Sequence, residues 1–358
     1  MSGERGIRSR VSYPGIDVAK LLMSFVVVEI HTRPLGLPDG LVGALLVVVE
    51  NMAVPFFFIA SGFLCFRGMV GHDVVGADAQ GLPKVRKTAV KLLRLYLTWM
   101  VIFLPLDAYG AWLNGWSISG FAVRWVRGLL LVGESVFSWP LWYLLAAAVG
   151  FGLVYLMLRG GVRPRCVLLC GLLFALCGWG LSCLHNWVAA PGWLSAAASA
   201  YFKVFLTVRN GLFLGFFYIA FGMCLGLRSG KLRAFSATWP IITLLLGFAG
   251  CVLLSPDQHL PFCALASCGI FLLCSRSVSE GNGCPTIRNT STVVYLTHMI
   301  FVVFFTFGIF GGAGPSIYAA NVPHCAVFAC SLACALLLAA AVVPLSRRHP
   351  KLAKVFGL

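Results

Sequence analysis

Charged side chains are scarce in this sequence. Only 11% of the 358 residues are charged and 60% are apolar, whereas a soluble globular protein has about 25% charged and about 45–50% apolar residues. The shortage of charge excludes a disordered chain, a nucleic-acid-binding domain and an ordinary soluble enzyme. The mean hydropathy of +0.93 instead indicates a protein that crosses a membrane several times.

Metal-binding patterns are a second absence. The 14 cysteines include no Cys-x-x-Cys pair, and the cysteines and histidines do not have the spacing of a metal site. Most of the cysteines fall in apolar stretches, where cysteine packs as a small hydrophobic residue. We therefore expect no metal cofactor.

Apolar stretches long enough to cross ~30 Å of hydrocarbon as helices follow one another along the chain. We predict an all-α, polytopic membrane protein with about ten transmembrane helices, in a single domain over residues 1–358. The predicted spans are 14–35, 41–66, 89–109, 138–158, 166–184, 204–227, 237–255, 261–275, 291–311 and 323–345. The segment 110–137 mixes tryptophan with arginine, which predicts a position at the membrane interface, on the extracytoplasmic side.

The basic residues separate the loops into two classes. The chain has 27 Lys and Arg against 11 Asp and Glu, and most of the basic residues fall in alternate loops and in the two ends of the chain. The positive-inside rule then predicts that both termini face the cytoplasm, with 346–358 as a basic cytoplasmic tail. Most of the formal charge of +16 is thereby explained by topology.

Ionisable side chains are concentrated in the first predicted span, which contains Asp17, Lys20, Glu29 and His31. On a helix, Lys20 and His31 lie within about 20° of one face and about 16 Å apart along the axis. A basic group near the cytoplasmic end can hold an anion, and an imidazole deeper on the same face can accept a proton from a nucleophile. The alternative is that Lys20 extends to the headgroups and His31 is a hydrogen-bonded packing residue.

Charged residues inside the next two spans are further candidates. Lys91 and Arg94 share a helix face and stand among leucines inside the apolar run. They either flank the span on its positive side or hold an anionic ligand. Glu50 could pair with Lys20 or His31 across the first two helices, which makes it a catalytic candidate beside His31.

Four other side chains are candidates for contact with a substrate. Arg209 opens the sixth span at the predicted outer face, against the charge trend, and could contact an anionic acceptor. Trp142 and Tyr143 open the fourth span, where they either anchor the helix at the interface or line a sugar or acyl path. His298 is either a hydrogen-bonded histidine of the core or a site residue.

Five short motifs run from the first predicted span to the ninth. The first is a basic residue and a histidine, Lys20 and His31, and the others read Pro-x-Phe-Phe-x-x-Ser-Gly, Lys-x-x-Arg, Leu-Trp-Tyr-Leu and Tyr-x-x-His. They occupy 20–31, 55–62, 91–94, 141–144 and 295–298. In these motifs and in its topology the chain resembles the acyltransferase-3 family of bacterial membrane proteins with ten to eleven spans. The family has arginine where this chain has Lys91.

The resemblance implies an enzyme of the bacterial cytoplasmic membrane. Such a protein takes an acyl group, here expected to be acetyl, from cytoplasmic acyl-CoA and transfers it to an extracytoplasmic glycan or lipid-linked sugar. His31 would be the general base, and Lys20, Lys91 and Arg94 would contact the CoA phosphates. At position 91 lysine offers a point charge where arginine offers a two-pronged donor. Besides substrates, we expect contact with membrane lipid, and we leave a homodimer open.

Two other interpretations remain open. Ten spans with buried charge also suit a transporter or permease of a small polar solute such as an amino acid, although no inverted repeat is visible. The segments 30–35, 54–58 and 209–211 also resemble the membrane half of vancomycin-resistance serine racemases. Because the sequence stops at Leu358, we do not expect racemase activity of it, but an amino-acid acceptor remains an alternative.

Overall fold

The computed structural model describes residues 11–36, 40–186, 192–230, 236–254, 259–281 and 283–358. Within these ranges the chain forms thirteen α-helices and one pair of two-residue antiparallel strands. The helices are α1 (Pro14–Thr32), α2 (Gly40–Phe66), α3 (Leu82–Leu113), α4 (Ile118–Arg127), α5 (Trp142–Arg159), α6 (Pro164–Asn186), α7 (Gly192–Phe205), α8 (Phe216–Gly226), α9 (Thr238–Leu253), α10 (His259–Cys274), α11 (Pro285–Val303), α12 (His324–Ser346) and α13 (Pro350–Phe356). The strands are β1 (Val11–Ser12) and β2 (Ser279–Glu280). Short π-helical turns occupy Gly128–Val132, Gly211–Gly215 and Phe304–Ile309.

The helical architecture predicted from the sequence is confirmed, and each predicted span overlaps a helix. The predicted span 204–227 is interrupted, because residues 206–210 are not helical. Among the described residues, six helices are long and apolar enough to cross a membrane: Gly40–Phe66, Leu82–Leu113, Trp139–Arg159, Pro164–Asn186, Pro285–Ile309 and His324–Ser346. The other four predicted spans fall on shorter apolar helices and on α1, which carries three charged side chains. The total of about ten spans and the cytoplasmic position of both termini stay predictions. Three of the basic residues on which the predicted orientation rests, Arg5, Arg8 and Arg10, lie outside the described residues.

The segment 110–137 is largely helical. Helix α3 continues to Leu113, and α4 follows after Ser117, whose hydroxyl caps the new helix by accepting the Gly120 N–H at 3.1 Å. No residue of helix α4 is buried within the protein. This exposure is what we expect of an amphipathic helix that lies at a membrane interface. Its interfacial position remains a prediction.

Helices α2 and α8 approach closely because glycines form their contact. A Cβ atom on Gly62 would lie 2.4 Å from the carbonyl oxygen of Ile219, and one on Gly222 would lie 2.2 Å from that of Ile59. Real side chains do not tolerate such distances, so glycine is required where the two backbones meet. The contact fixes the part of α2 that carries Phe57 and Ser61.

A buried carboxylate fixes the entrance to α5. Asp107 on α3 is fully buried and accepts hydrogen bonds from the backbone N–H of Phe137 at 2.7 Å and of Ser138 at 3.1 Å. The Ser138 hydroxyl donates to the second carboxylate oxygen of Asp107 at 2.9 Å. Three donors on one carboxylate hold the loop that leads into Trp142 and Tyr143.

Replacing Asp107 by asparagine is expected to destabilise the protein by about 1–3 kcal/mol, because the amide turns an N–H group toward a buried donor. Thermal unfolding of the purified protein in detergent measures the effect. Asp78→Asn, on an exposed loop residue, is the matched control and should unfold at the wild-type temperature. Equal unfolding temperatures for both variants would show that the Asp107 hydrogen bonds do not hold the loop.

Candidate active site

A cavity of about 350 Å³, here called the lysine cavity, lies between α1, α2, α3, α5 and α11. Among the described residues, three lysines line it, Lys20, Lys84 and Lys91, and none of the lining residues is acidic. The backbone of α1 is held there by α11, because the Ser291 hydroxyl donates to the Lys20 carbonyl at 2.9 Å. The cavity is therefore suited to an anionic ligand. The placement of Lys20 and Lys91 in one cavity agrees with the prediction that both contact the same ligand.

A second cavity of about 460 Å³, here called the histidine cavity, contains the predicted base. Four other sequence candidates line it together with His31. They are Glu50, Trp142, Tyr143 and Arg209. Lys20 does not line this cavity. The helical spacing of Lys20 and His31 thus places them in two different cavities along one helix.

His31 is paired with a second histidine. The rings of His31 and His298 stack with their centroids 5.4 Å apart, and His298 is fully buried. Nδ1 of His298 lies 2.7 Å from the carbonyl oxygen of Tyr295. Since a carbonyl only accepts, this nitrogen carries the proton and Nε2 keeps a lone pair. Neither His298 Nε2 nor His31 Nδ1 has a hydrogen-bond partner among the described residues.

Glu50 lies in the histidine cavity, but its pairing differs from the prediction. Its electrostatic neighbours are Glu29 on α1 and Arg33, the residue that ends α1. Lys20 lines the other cavity, so a pair between Glu50 and Lys20 is not formed. The sequence predicted that α1 and α2 meet here without showing which side of α2 Glu50 would occupy. The interaction of Glu50 with His31 in catalysis stays a prediction.

Arg33 was not among the sequence candidates, although it lines the histidine cavity. It has a left-handed backbone conformation, with φ of 46°, and its guanidinium lies 4.9 Å from the centroid of the Tyr318 ring. The Tyr318 hydroxyl donates to the carbonyl of Ile30 at 3.0 Å. These contacts hold a cation two residues from His31.

Arg209 and Trp142 lie side by side at the rim of the histidine cavity. The Arg209 guanidinium is 5.8 Å from the centroid of the Trp142 ring. The following residue, Asn210, accepts the backbone N–H groups of Leu212 and Phe213, each at 3.0 Å, which fixes the start of that helical segment. Glu134 lies nearby in the loop before α5. Burial raises the pKa of its carboxyl above the usual value, and the positive charge of Arg209 offsets part of this increase.

Two tyrosines separate the cavities. Tyr143 and Tyr295 line both of them, and their ring centroids are 5.7 Å apart. Phe57 lies 5.9 Å from Tyr143 and 6.1 Å from Tyr295 between centroids. We call these three rings the partition. The Tyr143 hydroxyl lies 3.0 Å from the Ser61 hydroxyl, and the Tyr295 hydroxyl donates to the Pro140 carbonyl, so the partition is anchored on α2, α5 and α11.

Arg94 lies apart from Lys20. It lines a third cavity, between α3 and α13, together with Lys91. His298 also does not line the histidine cavity, and it contacts His31 from the core side. Among the residues that the structure describes, no cluster of His, Cys, Asp or Glu is arranged to hold a metal ion.

Comparison with known proteins identifies a family and distant relatives. A family model described as an acyltransferase domain matches residues 13–342. An amino-acid racemase of Enterococcus faecalis is 23% identical over 213 residues, or 59% of this chain and 28% of that protein. A serine/alanine racemase of Enterococcus gallinarum is 26% identical over 248 residues, or 68% of this chain and 33% of that protein. The chain spans about a third or less of the length of these two relatives. No solved structure matches it significantly.

Proposed function

Since the chain belongs to the acyltransferase-3 family, as its five motifs indicated, we propose that it is a membrane acyltransferase. It moves an acyl group, expected to be acetyl, from cytoplasmic acyl-CoA to a hydroxyl of an extracytoplasmic glycan or lipid-linked sugar. It works in the cytoplasmic membrane of a bacterium with both termini in the cytoplasm, and His31 is its general base.

The observation that supports this proposal is the relation between the two cavities. One is lined by three lysines and the other by His31, and Tyr143 and Tyr295 line both. An acyl donor that enters the lysine cavity and an acceptor that enters the histidine cavity therefore meet at the partition. Two substrates that approach from opposite sides of a membrane require this arrangement.

The reaction is a direct transfer. The acceptor hydroxyl attacks the thioester carbonyl while the imidazole of His31 takes its proton. A C–O bond forms, the C–S bond breaks as the tetrahedral intermediate collapses, and the thiolate of CoA takes the proton back from the imidazolium. The products are an ester and free CoA, and His31 returns to its neutral form. This direct transfer needs no covalent acyl-enzyme intermediate.

Tyr143 is positioned to assist at the carbonyl. Its hydroxyl lies at the boundary of both cavities and is held by Ser61. A hydroxyl fixed in a site that excludes water stabilises the charge that develops on the carbonyl oxygen. The neighbouring His298 carries its proton on Nδ1, so its Nε2 has a free lone pair. Because its ring stacks on that of His31, it favours one orientation of the His31 ring.

The donor and the acceptor use different charged groups. Lys20 and Lys91 line the lysine cavity, and Arg94 lines the cavity between α3 and α13 together with Lys91. The three side chains bind the phosphates of CoA. Arg209 and Trp142 bind the acceptor at the rim of the histidine cavity, through a cation and an aromatic face. Glu50 faces the acceptor's polar groups from α2.

Membrane vesicles that contain the protein and envelope glycans test the proposal. With [14C]acetyl-CoA supplied on the cytoplasmic side, label is expected in the lipid-linked or polymeric glycan fraction, in a linkage that mild alkali releases as an ester. Vesicles without the protein are the control. Label at the control level in both fractions would contradict the proposed function.

A transporter of a small polar solute is the second candidate. Two cavities divided by a thin partition also suit alternating access, and the named relatives are racemases of amino acids. Uptake of labelled serine or alanine into proteoliposomes in the absence of acyl-CoA would favour transport over transfer. If uptake is absent while the vesicles are acylated, the transporter is excluded for these solutes.

A further inference from the structure

The predicted basic tail folds back against α3. The indole N–H of Trp99 donates to the carbonyl of Val355 at 2.8 Å, and the rings of Trp99 and Phe356 pack edge to face at 5.4 Å. Phe356 is 8% exposed. Gly357 ends α13 with φ of +66°, and a Cβ there would lie 3.1 Å from the Leu95 side chain. These contacts hold helix α13 in a fixed position beside α3.

A cavity of about 930 Å³ lies between these two helices, and we call it the basic groove. In the part of the chain that the structure describes, its lining has no acidic residue and includes five cations: Arg86, Lys87, Lys91, Arg94 and Lys354. None of the five makes an ion pair with any residue in the described ranges. Five like charges around one cavity repel each other unless an anion is bound between them.

The basic groove lies next to the lysine cavity. Lys91, Leu95 and Gly357 line both. The groove is the larger of the two and has more basic side chains in its lining, whereas the smaller lysine cavity extends to the partition. The two cavities together fit a ligand with a bulky polyanionic head and a slender arm.

We infer that helix α13, through Lys354, forms part of the site that binds the phosphates of the acyl-CoA donor, with the nucleotide end of the donor in the basic groove. The inference rests on the proposed function, because that function supplies the donor. It adds that a helix far from α3 in the sequence, which begins at Pro350 whereas α3 ends at Leu113, helps to bind the donor. Guanidinium and ammonium groups together bind phosphates by bidentate and single contacts. The acyl-pantetheine arm then extends through the lysine cavity to the partition.

Equilibrium binding to the full-length protein tests the inference. In nanodiscs of phosphatidylcholine, Lys354→Ala is expected to weaken CoA binding about three- to tenfold and to reduce its salt dependence. Binding of pantetheine, which lacks the nucleotide and its phosphates, should not change. Lys351→Ala is the matched control, since Lys351 lies on the same helix and is exposed but does not line the groove.

Three outcomes would overturn the inference, and each has a different consequence for the proposed function. If CoA binds equally to wild type, Lys354→Ala and Lys351→Ala, the nucleotide lies elsewhere, while the proposed acyl donor stands. If CoA does not bind to wild type at all, the proposed function fails as well. A phospholipid headgroup carries the same phosphate chemistry. If native mass spectrometry shows bound phosphatidylglycerol that Lys354→Ala loses, with CoA binding unchanged, the groove is a lipid site.

Discussion

Replacing His31 by glutamine is expected to lower kcat for acetyl transfer by about 10²–10⁴-fold, the usual loss when a general base is removed. Glutamine is close to histidine in size and can hydrogen bond, but it cannot take the proton of the acceptor hydroxyl. Because His31 does not line the lysine cavity, the affinity for CoA should stay within about twofold of wild type. The measurement is transfer from labelled acetyl-CoA beside a CoA-binding assay on the same preparation.

The matched control is His185→Gln. His185 is also at the end of an apolar helix, but it stacks on Phe202 with the ring centroids 4.2 Å apart and does not line the histidine cavity. It should transfer acetyl at the wild-type rate. If His31→Gln retains wild-type turnover, His31 is not the base. If CoA affinity falls along with turnover in that variant, His31 acts on donor binding instead.

Replacing Phe57 by leucine is expected to raise the rate with butyryl-CoA relative to acetyl-CoA by about ten- to a hundredfold. Phe57 closes the lysine cavity against Tyr143 and Tyr295, so the room for the acyl chain ends there. A smaller side chain leaves space for further methylenes, and each methylene that a pocket accepts or rejects changes the transition-state energy by about 1–3 kcal/mol. The ratio of kcat/KM for the two donors measures the change.

Phe56→Leu makes the same substitution one residue earlier. Phe56 packs on Phe271 with the centroids 5.7 Å apart and does not line the lysine cavity. The loss of packing should therefore destabilise the protein without changing the ratio. An equal shift of the ratio in both variants would mean that general loosening of α2, rather than the partition, sets the acyl length. No shift in Phe57→Leu would place the acyl chain elsewhere.

Local periodicity predicted the parts of the site that one helix determines. Lys20 and His31 lie along α1 and face two cavities that meet at the partition, because the helical repeat alone fixes their relative direction. The i, i+3 spacing of Lys91 and Arg94 likewise placed both on the basic groove. The family motifs identified Tyr143 through its leucine-tryptophan-tyrosine-leucine segment, although not its place between two cavities.

Contacts between distant parts of the chain could not be predicted. In the sequence Lys354 looks like any basic residue that sets topology, and it is brought to α3 by the contacts of Trp99 with Val355 and Phe356. Asp107 stands in an apolar run, but its donors follow 30 and 31 residues later. Glu50 was placed near α1, yet its neighbour there is Glu29, because the register between two helices depends on packing rather than on either sequence.

A cryo-EM structure with S-acetonyl-CoA, a stable analogue of acetyl-CoA, tests most directly whether donor and acceptor meet at the partition. We expect the nucleotide in the basic groove, the pantetheine arm in the lysine cavity and the ketone between Tyr143 and Tyr295, with His31 on the opposite side of the carbonyl. An analogue bound outside the lysine cavity, or one whose ketone points away from the partition, would contradict it.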